Sequence, residues 1–362
     1  MRIVQLIDTL EPGGAERMAV NYANALVKKI TFSGLIATRS EGLLLAQIDE
    51  RVSYNFLKKR KVIDFQAIRK LRKYLIENKI DIIHAHSSSF FAAVLVKFTL
   101  PNVKIVWHDH YGISQDLVSR KNLVLKFFSY FFLGIIAVNS ELRYWAKSYL
   151  FCSNSIYLPN FIEDSCDSNE TVTLKGEEGK RIICVANLRP QKNHNLIVDA
   201  AAVLKNKFPD WSFHLFGKNF EDLYATHLLQ KVRNLKLQEN VFFYGAINNI
   251  GSALQQCDIA VLPSLSEGLP LALLEYGLNK LPVVVTDVGE IPNIVISGED
   301  GIIIQSSDLN GFTIAIENLI SDKIWRKELG LRLYCKISEN YSEKIIIDRY
   351  LLKLDRWLGC AL

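Results

Sequence analysis

The chain has 362 residues, enough for about two domains with separate cores. Hydrophobic residues make up 49% and charged residues 22%, a globular composition that excludes a disordered chain. A net charge of +5 is too mild for the dense basic stripe of a nucleic-acid binder and favours an anionic small molecule or an anionic membrane surface. The N-terminus reads as a strand over 2–8 and not as a signal peptide, because its apolar run is short and Asp8 follows. Apolar strand-like runs then alternate with helical patterns. The strands fall at 31–37, 51–56, 81–86, 104–108, 134–138 and 155–158, and the helices between them include 15–28, 65–78, 88–98 and 141–149. The longest apolar stretch, 123–138, is too short to cross a bilayer comfortably and divides into a helix over 120–132 and a buried strand. A polar, acidic segment at 163–171 reads as an interdomain linker. The alternation restarts at 181–185 and continues through 212–216, 241–243, 258–262, 282–286 and 301–304, and three helical stretches follow, the last at 342–357. This order predicts two doubly wound α/β domains, 1–162 and 163–341, with the closing helix (342–362) packing back on the first. Ligands of such sheets bind beyond the carboxyl ends of the strands, and two such edges can face one cleft. The six cysteines, Cys152, Cys166, Cys184, Cys257, Cys335 and Cys360, form no C-x-x-C pair and read as reduced thiols of a cytosolic protein.

Four segments at predicted strand ends carry chemistry. Gly13-Gly14 precedes a helix, and two glycines there let a backbone approach a phosphate; Glu16 and Arg17 follow, and no G-x-G-x-x-G is present. His84-Ala-His86 and His108-Asp-His110 each place two histidines on one face of a strand. His84 reads as a core histidine, and His108 or His110 as a donor to a sugar hydroxyl or phosphate; a histidine metal site is the third reading, without the tightly spaced acidic or thiol partners it needs. In Asn187-Leu-Arg189-Pro-Gln-Lys192, a cation just before a helix start suits a diphosphate and its developing charge. Finally, Glu267 lies in a Ser/Gly turn before a helix expected to begin near Pro270, and Glu275 lies inside that helix. Helix N-termini bind phosphates, and carboxylates accept hydrogen bonds from sugar diols, so the pair points to a nucleotide-linked sugar.

Glu267 and Glu275 eight residues apart, Gly13-Gly14, the Arg/Lys turn, Leu158-Pro159-Asn160 and Thr286-Asp287-Val288-Gly289-Glu290, in the family's order along nearly the whole chain, together resemble the GT4 family of retaining glycosyltransferases. The resemblance implies the GT-B fold, with two Rossmann-like domains facing a central cleft: an acceptor-side N-terminal domain and a donor-binding C-terminal one. It implies that Glu275 holds the ribose of a UDP- or GDP-sugar and that Glu267, with the backbone of Gly268, Leu269, Pro270 and Leu271, contacts the donor sugar and diphosphate. Lys192 would bind the diphosphate, with Asn187 and Arg189 beside it; the family's Arg stands as Asn187 here, and its acidic residue after the Phe-x-Gly turn as Asn248 or Asn249. Gly13 and Gly14 would close on the phosphates, His108 would lie over the donor sugar with His110 and Glu16 in secondary positions, and Tyr244 would border the nucleobase.

The expected reaction is sugar transfer from the nucleotide donor to a glycan or lipid-linked acceptor in bacterial surface polysaccharide synthesis, with no metal or other cofactor and no nucleic acid. A sugar-nucleotide epimerase or hydrolase of the same architecture is the alternative. Lys58-Lys-Arg-Lys61 and the basic, aromatic stretch 120–132 suit peripheral attachment to an anionic leaflet, at the inner face of the cell membrane.

Overall fold

The computed structural model describes residues 1–111, 117, 120, 123–162, 172–247 and 249–359. The expected linker at 163–171 and Asn248 lie outside the described residues. The chain divides into two compact units, Met1–Asp164 with Ser342–Leu362, and Ser165–Tyr341.

The first unit contains β1 (Arg2–Thr9), β2 (Phe32–Ser40), β3 (Ser53–Phe56), β4 (Ile82–His86), β5 (Lys104–Asp109), β6 (Gly134–Ala137) and β7 (Ser155–Tyr157). The second contains β8 (Arg181–Val185), β9 (Ser212–Phe216), β10 (Val241–Gly245), β11 (Ile259–Leu262), β12 (Val283–Thr286) and β13 (Ile302–Ile304). The sheet orders are β3-β2-β1-β4-β5-β6-β7 and β10-β9-β8-β11-β12-β13. Every strand pairing in both sheets is parallel. Helices cover such sheets on both faces, which is why strands like Ile-Ala-Val-Leu of β11 are continuously apolar and buried. In each unit the strand order reverses between two neighbours, β1 and β4 in one and β8 and β11 in the other. Loops leave those neighbours in opposite directions and open a crevice at their carboxyl ends.

Helix starts follow capping chemistry. Asp64, Asn139, Asp222, Asp308 and Asp322 each accept a bond from a backbone N–H of the helix that they precede. The closing helix, Glu343–Leu358, buries Ile346, Ile347, Tyr350 and Leu354 on one face. Lys28 and Lys29, at the end of helix Gly14–Val27, pair with its Glu343 and Asp348. Tyr350 reaches the sheet, where its hydroxyl meets His84 Nδ1 at 3.2 Å.

One helix differs from expectation. Among the described residues of the stretch 120–132, Leu123–Phe128 are helical and a 3₁₀ turn follows at Ser129–Phe131. The Arg120 guanidinium, expected to face an anionic leaflet, instead holds the buried Asp109 carboxylate through two bonds of 2.6 and 2.9 Å. It also lies over the rings of Tyr111 and Trp145, at 4.2 and 4.3 Å.

Candidate active site

In the second unit the site begins with the two strands at the order reversal. After β8 the chain runs through Asn187 and Arg189 into a 3₁₀ turn at Pro190–Lys192; Asn193, with φ of +51°, then swings it into helix His194–Leu204. After β11 it runs from Pro263 to Pro270 into helix Leu271–Leu278. Leu265 N–H donates to Gln191 C=O at 2.8 Å and joins the two loops. That contact brings Lys192 and Glu267, 75 residues apart, into an ion pair of 2.5 Å between Nζ and Oε1. Ser264 Oγ donates to the same carboxylate oxygen at 2.6 Å. The Glu267 side chain is only 7% exposed, so the cation and the hydroxyl together offset what its burial costs.

The loop after β12 fixes this arrangement from below. Thr286 Oγ1 donates to Ser264 C=O at 2.6 Å, and Glu290 N–H donates to Gly268 C=O at 3.0 Å. Gly289 has φ of +57°, and a side chain there would overlap the Glu267 carbonyl oxygen, so only glycine suits the position.

Pro270 is the residue before the helix, with ψ of 123°, and not its first residue as the sequence suggested; Leu271 takes that place. The first N–H groups of the helix have no intrahelical partner and carry the positive end of its dipole beside the Glu267 loop. Glu275 is buried in the second turn. The other residues assigned to the donor have internal roles. Asn187 Oδ1 accepts from Lys218 N–H at 2.8 Å, and the exposed Arg189 places its guanidinium over Phe220 at 4.6 Å. Tyr244 stacks on Phe216 at 4.6 Å, and its hydroxyl bonds Lys175 N–H and His214 Nδ1.

In the first unit, His86 and His108 are in register on β4 and β5, and all four histidines of the two motifs share one face. His84, His86 and His108 have no exposed surface; His84 stacks between His108 and Tyr350, and Tyr22 meets His84 and His108 edge-on. The expectation that His108 lies over a bound sugar therefore meets a side chain sealed inside the unit. His110, past the end of β5, is the half-buried one. Burial pushes all four pKa values down, that of His110 to about 3, so the rings are neutral at ordinary pH. His84, His86 and His108 bring ligand-type nitrogens within 4.8 Å of one another, but both nitrogens of His86 already have protein partners, His110 and Gln5. On the opposite face Asp109 binds Arg120 and accepts from Tyr111 N–H, which fixes the chain just beyond His110. Gly13 precedes helix Gly14–Val27, with Glu16 in its first turn, and a side chain at Gly14 would meet no protein atom within 4 Å.

Two family models divide the chain between them: Glycosyltransferase Family 4 over residues 12–165 and Glycosyl transferases group 1 over 167–334. The chain belongs to the GT4-type glycosyltransferases. A galactosyltransferase of Escherichia coli, named for UDP-Gal and α-D-GlcNAc-diphosphoundecaprenol, is 26% identical over 284 residues, 72% of each chain. An uncharacterised glycosyltransferase of Haemophilus influenzae is 25% identical over 360 residues, 93% of this chain and 95% of that one. The Anabaena protein HepE, solved with UDP-glucose, matches with a TM-score of 0.81 over 98% of this chain and all of its own, at 17% identity. Both units thus have the Rossmann-like parallel sheets of GT-B glycosyltransferases, and the relatives give no support to an epimerase or hydrolase.

Sequence reasoning singled out Glu267 and Lys192 separately but missed Ser264 as their third member; its spacing, three residues before the acid in a turn, was the available signal. It also missed Gln5, Tyr22 and Tyr350 beside the histidines. Only the helical spacing of Ile346, Ile347, Tyr350 and Leu354 hinted at the last of these.

Lys192→Met in this glycosyltransferase takes the cation from a buried carboxylate that keeps the Ser264 hydroxyl, and is expected to lower stability by roughly 3 kcal/mol, most of it recovered when Glu267→Gln is added. Chemical unfolding of the single and double variants measures that coupling, and additive losses would contradict it. A second expectation concerns pH. Histidines titrate near 6.5 when unfolded, whereas burial holds His110 and His214 at about 3 and His194 at about 4. Below pH 6.5 the unfolded state binds more protons, so stability present above that value is lost as the pH falls towards the folded values. The urea midpoint should be lower at pH 5 than at pH 7.5; equal midpoints would contradict it.

Proposed function

We propose that this enzyme transfers a sugar from a UDP-sugar to a lipid-linked glycan acceptor in bacterial surface polysaccharide assembly, with retention of anomeric configuration. The observation that carries the reading is the Lys192–Glu267–Ser264 constellation at the order reversal of the second sheet, beside the start of the helix that holds Glu275. The UDP donor is supported by the names of the E. coli enzyme and the HepE complex, and the lipid-linked acceptor by the former.

In this reading Glu275 accepts hydrogen bonds from the ribose hydroxyls. The helix N-terminus, with the backbone of Gly268 to Leu271, and Lys192 bind the diphosphate and stabilise its charge as it leaves. Glu267 accepts from hydroxyls of the donor sugar. In the first unit, taken by itself, the Gly13-Gly14 turn suits close approach of a phosphate to the backbone, and His110, not the buried His108, has surface to meet a sugar hydroxyl. The acceptor hydroxyl attacks the anomeric carbon on the face that the diphosphate leaves, the bond to the β-phosphate oxygen breaks, and that oxygen takes the hydroxyl proton as UDP departs. A covalent route through Glu267 is disfavoured, because Lys192 and Ser264 already hold one of its oxygens and lower its nucleophilicity. Lys192 and the helix dipole supply the positive field, so activity should persist in chelator.

The acceptor's lipid suits one surface of the first unit. Phe98, Leu123, Val124, Phe127, Tyr130 and Phe151 are large, exposed apolar residues. Ring contacts join Phe98 to Phe131, Phe131 to Tyr130, and Phe127 to Phe151, with the Lys126 ammonium over Phe151. Among the described residues no helix is long and apolar enough to cross a membrane. The proposal is therefore attachment in the interface, at the inner face of the cell membrane.

Two measurements test these readings. Sugar release from UDP-sugar should require an added polyprenyl-diphosphate glycan, give an α-linked product from an α-linked donor, and survive EDTA. Glu275→Ala should weaken UDP binding about tenfold or more, by the loss of charge-assisted bonds. Unchanged UDP affinity removes Glu275 from its assigned role. For the membrane surface, binding to vesicles containing anionic lipid should fall several-fold in Phe127→Ser/Phe151→Ser, and equal binding by variant and parent rejects that surface.

A further inference from the structure

Gln5 lies on β1 with no exposed surface, paired in register with His84 on β4. Its Oε1 is 2.9 Å from His86 Nε2, and His86 Nδ1 is 3.0 Å from His110 Nε2. With the Gln5 amide oxygen facing His86, an orientation that leaves Gln5 Nε2 buried without a partner among the described residues, the two contacts have one assignment of protons. An amide oxygen has no hydrogen to give, so His86 donates from Nε2. A neutral imidazole has one N–H, so His86 Nδ1 is an acceptor, and His110 must donate to it from Nε2. The Nδ1 of His110 is then the bare nitrogen, and it has no partner among the described residues. Burial holds both rings neutral, which excludes a second proton.

We infer that Gln5 and His86 are positioning residues, fixing His110 as its Nε2–H tautomer so that Nδ1 presents a lone pair, and only a lone pair, to substrate. The consequence is a specificity. Nδ1 accepts from a sugar hydroxyl and offers nothing to a phosphate oxygen, so the group that meets His110 is a hydroxyl of the donor sugar or the acceptor. The rest of the network maintains the orientation: the His110 ring packs against His108, tilted by 31° with centroids 4.0 Å apart, and Asp109, on the other face of the strand, holds the chain through Arg120 and Tyr111. This inference rests on the reading that His110 touches the reacting sugar.

The test separates the two ideas. In protein labelled with ¹⁵N-histidine, with signals assigned through His86→Gln and His110→Gln, both residues should appear as Nε2–H tautomers in the parent enzyme. A His110 protonated on Nδ1 overturns the inference, whatever the activity. In Gln5→Leu the acceptor is gone and the tautomers of His86 and His110 should mix. The kcat should then fall roughly ten- to hundredfold, with the KM for UDP-sugar within about twofold of the parent. Mixed tautomers with an unchanged kcat, or a fallen kcat with unmixed tautomers, overturn it as well. Absence of turnover in the parent enzyme counts against the proposed reaction alone, since the spectrum is read without substrate.

Discussion

A carboxylate sealed from water must be matched by positive charge and hydrogen-bond donors, and that constraint organises the second unit. Glu267 is buried at the carboxyl end of β11, and its match comes from Lys192, at the end of β8. The two strands are neighbours only because the sheet order reverses there, so the topology and the ion pair are one feature seen at two scales. Everything near the pair keeps it in place: Ser264 on the same oxygen, Thr286 under the loop, and Gly289 where no side chain fits. A polar group held so tightly has little to reorganise when a diphosphate arrives, which is the condition under which charge stabilises a leaving group most.

The first unit meets a related constraint by other means. Its strand β5 alternates strictly, so His-Asp-His is two different devices on two faces. One face sends Asp109 to a buried ion pair with Arg120, enclosed by aromatic rings. The other stacks neutral imidazoles against Tyr22 and Tyr350, the latter from the closing helix, 266 residues from His84. The closing helix thus belongs to the first unit, and its Tyr350 covers His84.

The strands were legible in the sequence almost to the residue: β8 and β9 coincide with the apolar runs at 181–185 and 212–216, since a parallel strand covered on both faces must be apolar throughout. The expected helix over 120–132 gives way at its far end to a 3₁₀ turn at Ser129–Phe131, and Arg120 is held by Asp109, a tertiary contact that periodicity cannot encode. Pro270 was displaced by one position for a local reason, its extended ψ, which neighbouring residues set. The two histidines of each motif were legible as sharing a face, but only the β4–β5 register joined the pairs, and which of them had surface depended on what packed above them, Tyr22 and Tyr350 included.

By itself the sequence determined the parallel α/β units, the glycine-rich and acid-rich turns at strand ends, and the family to which their joint order belongs, because each follows from local periodicity or from residue types that chemistry restricts. Tertiary structure alone decided that Lys192 and Glu267 form one pair, that His108 is interior while His110 is not, and which tautomer Gln5 and His86 impose. Those outcomes depend on distances between segments far apart in the chain, and on what water can reach, neither of which is written in the order of residues along one strand.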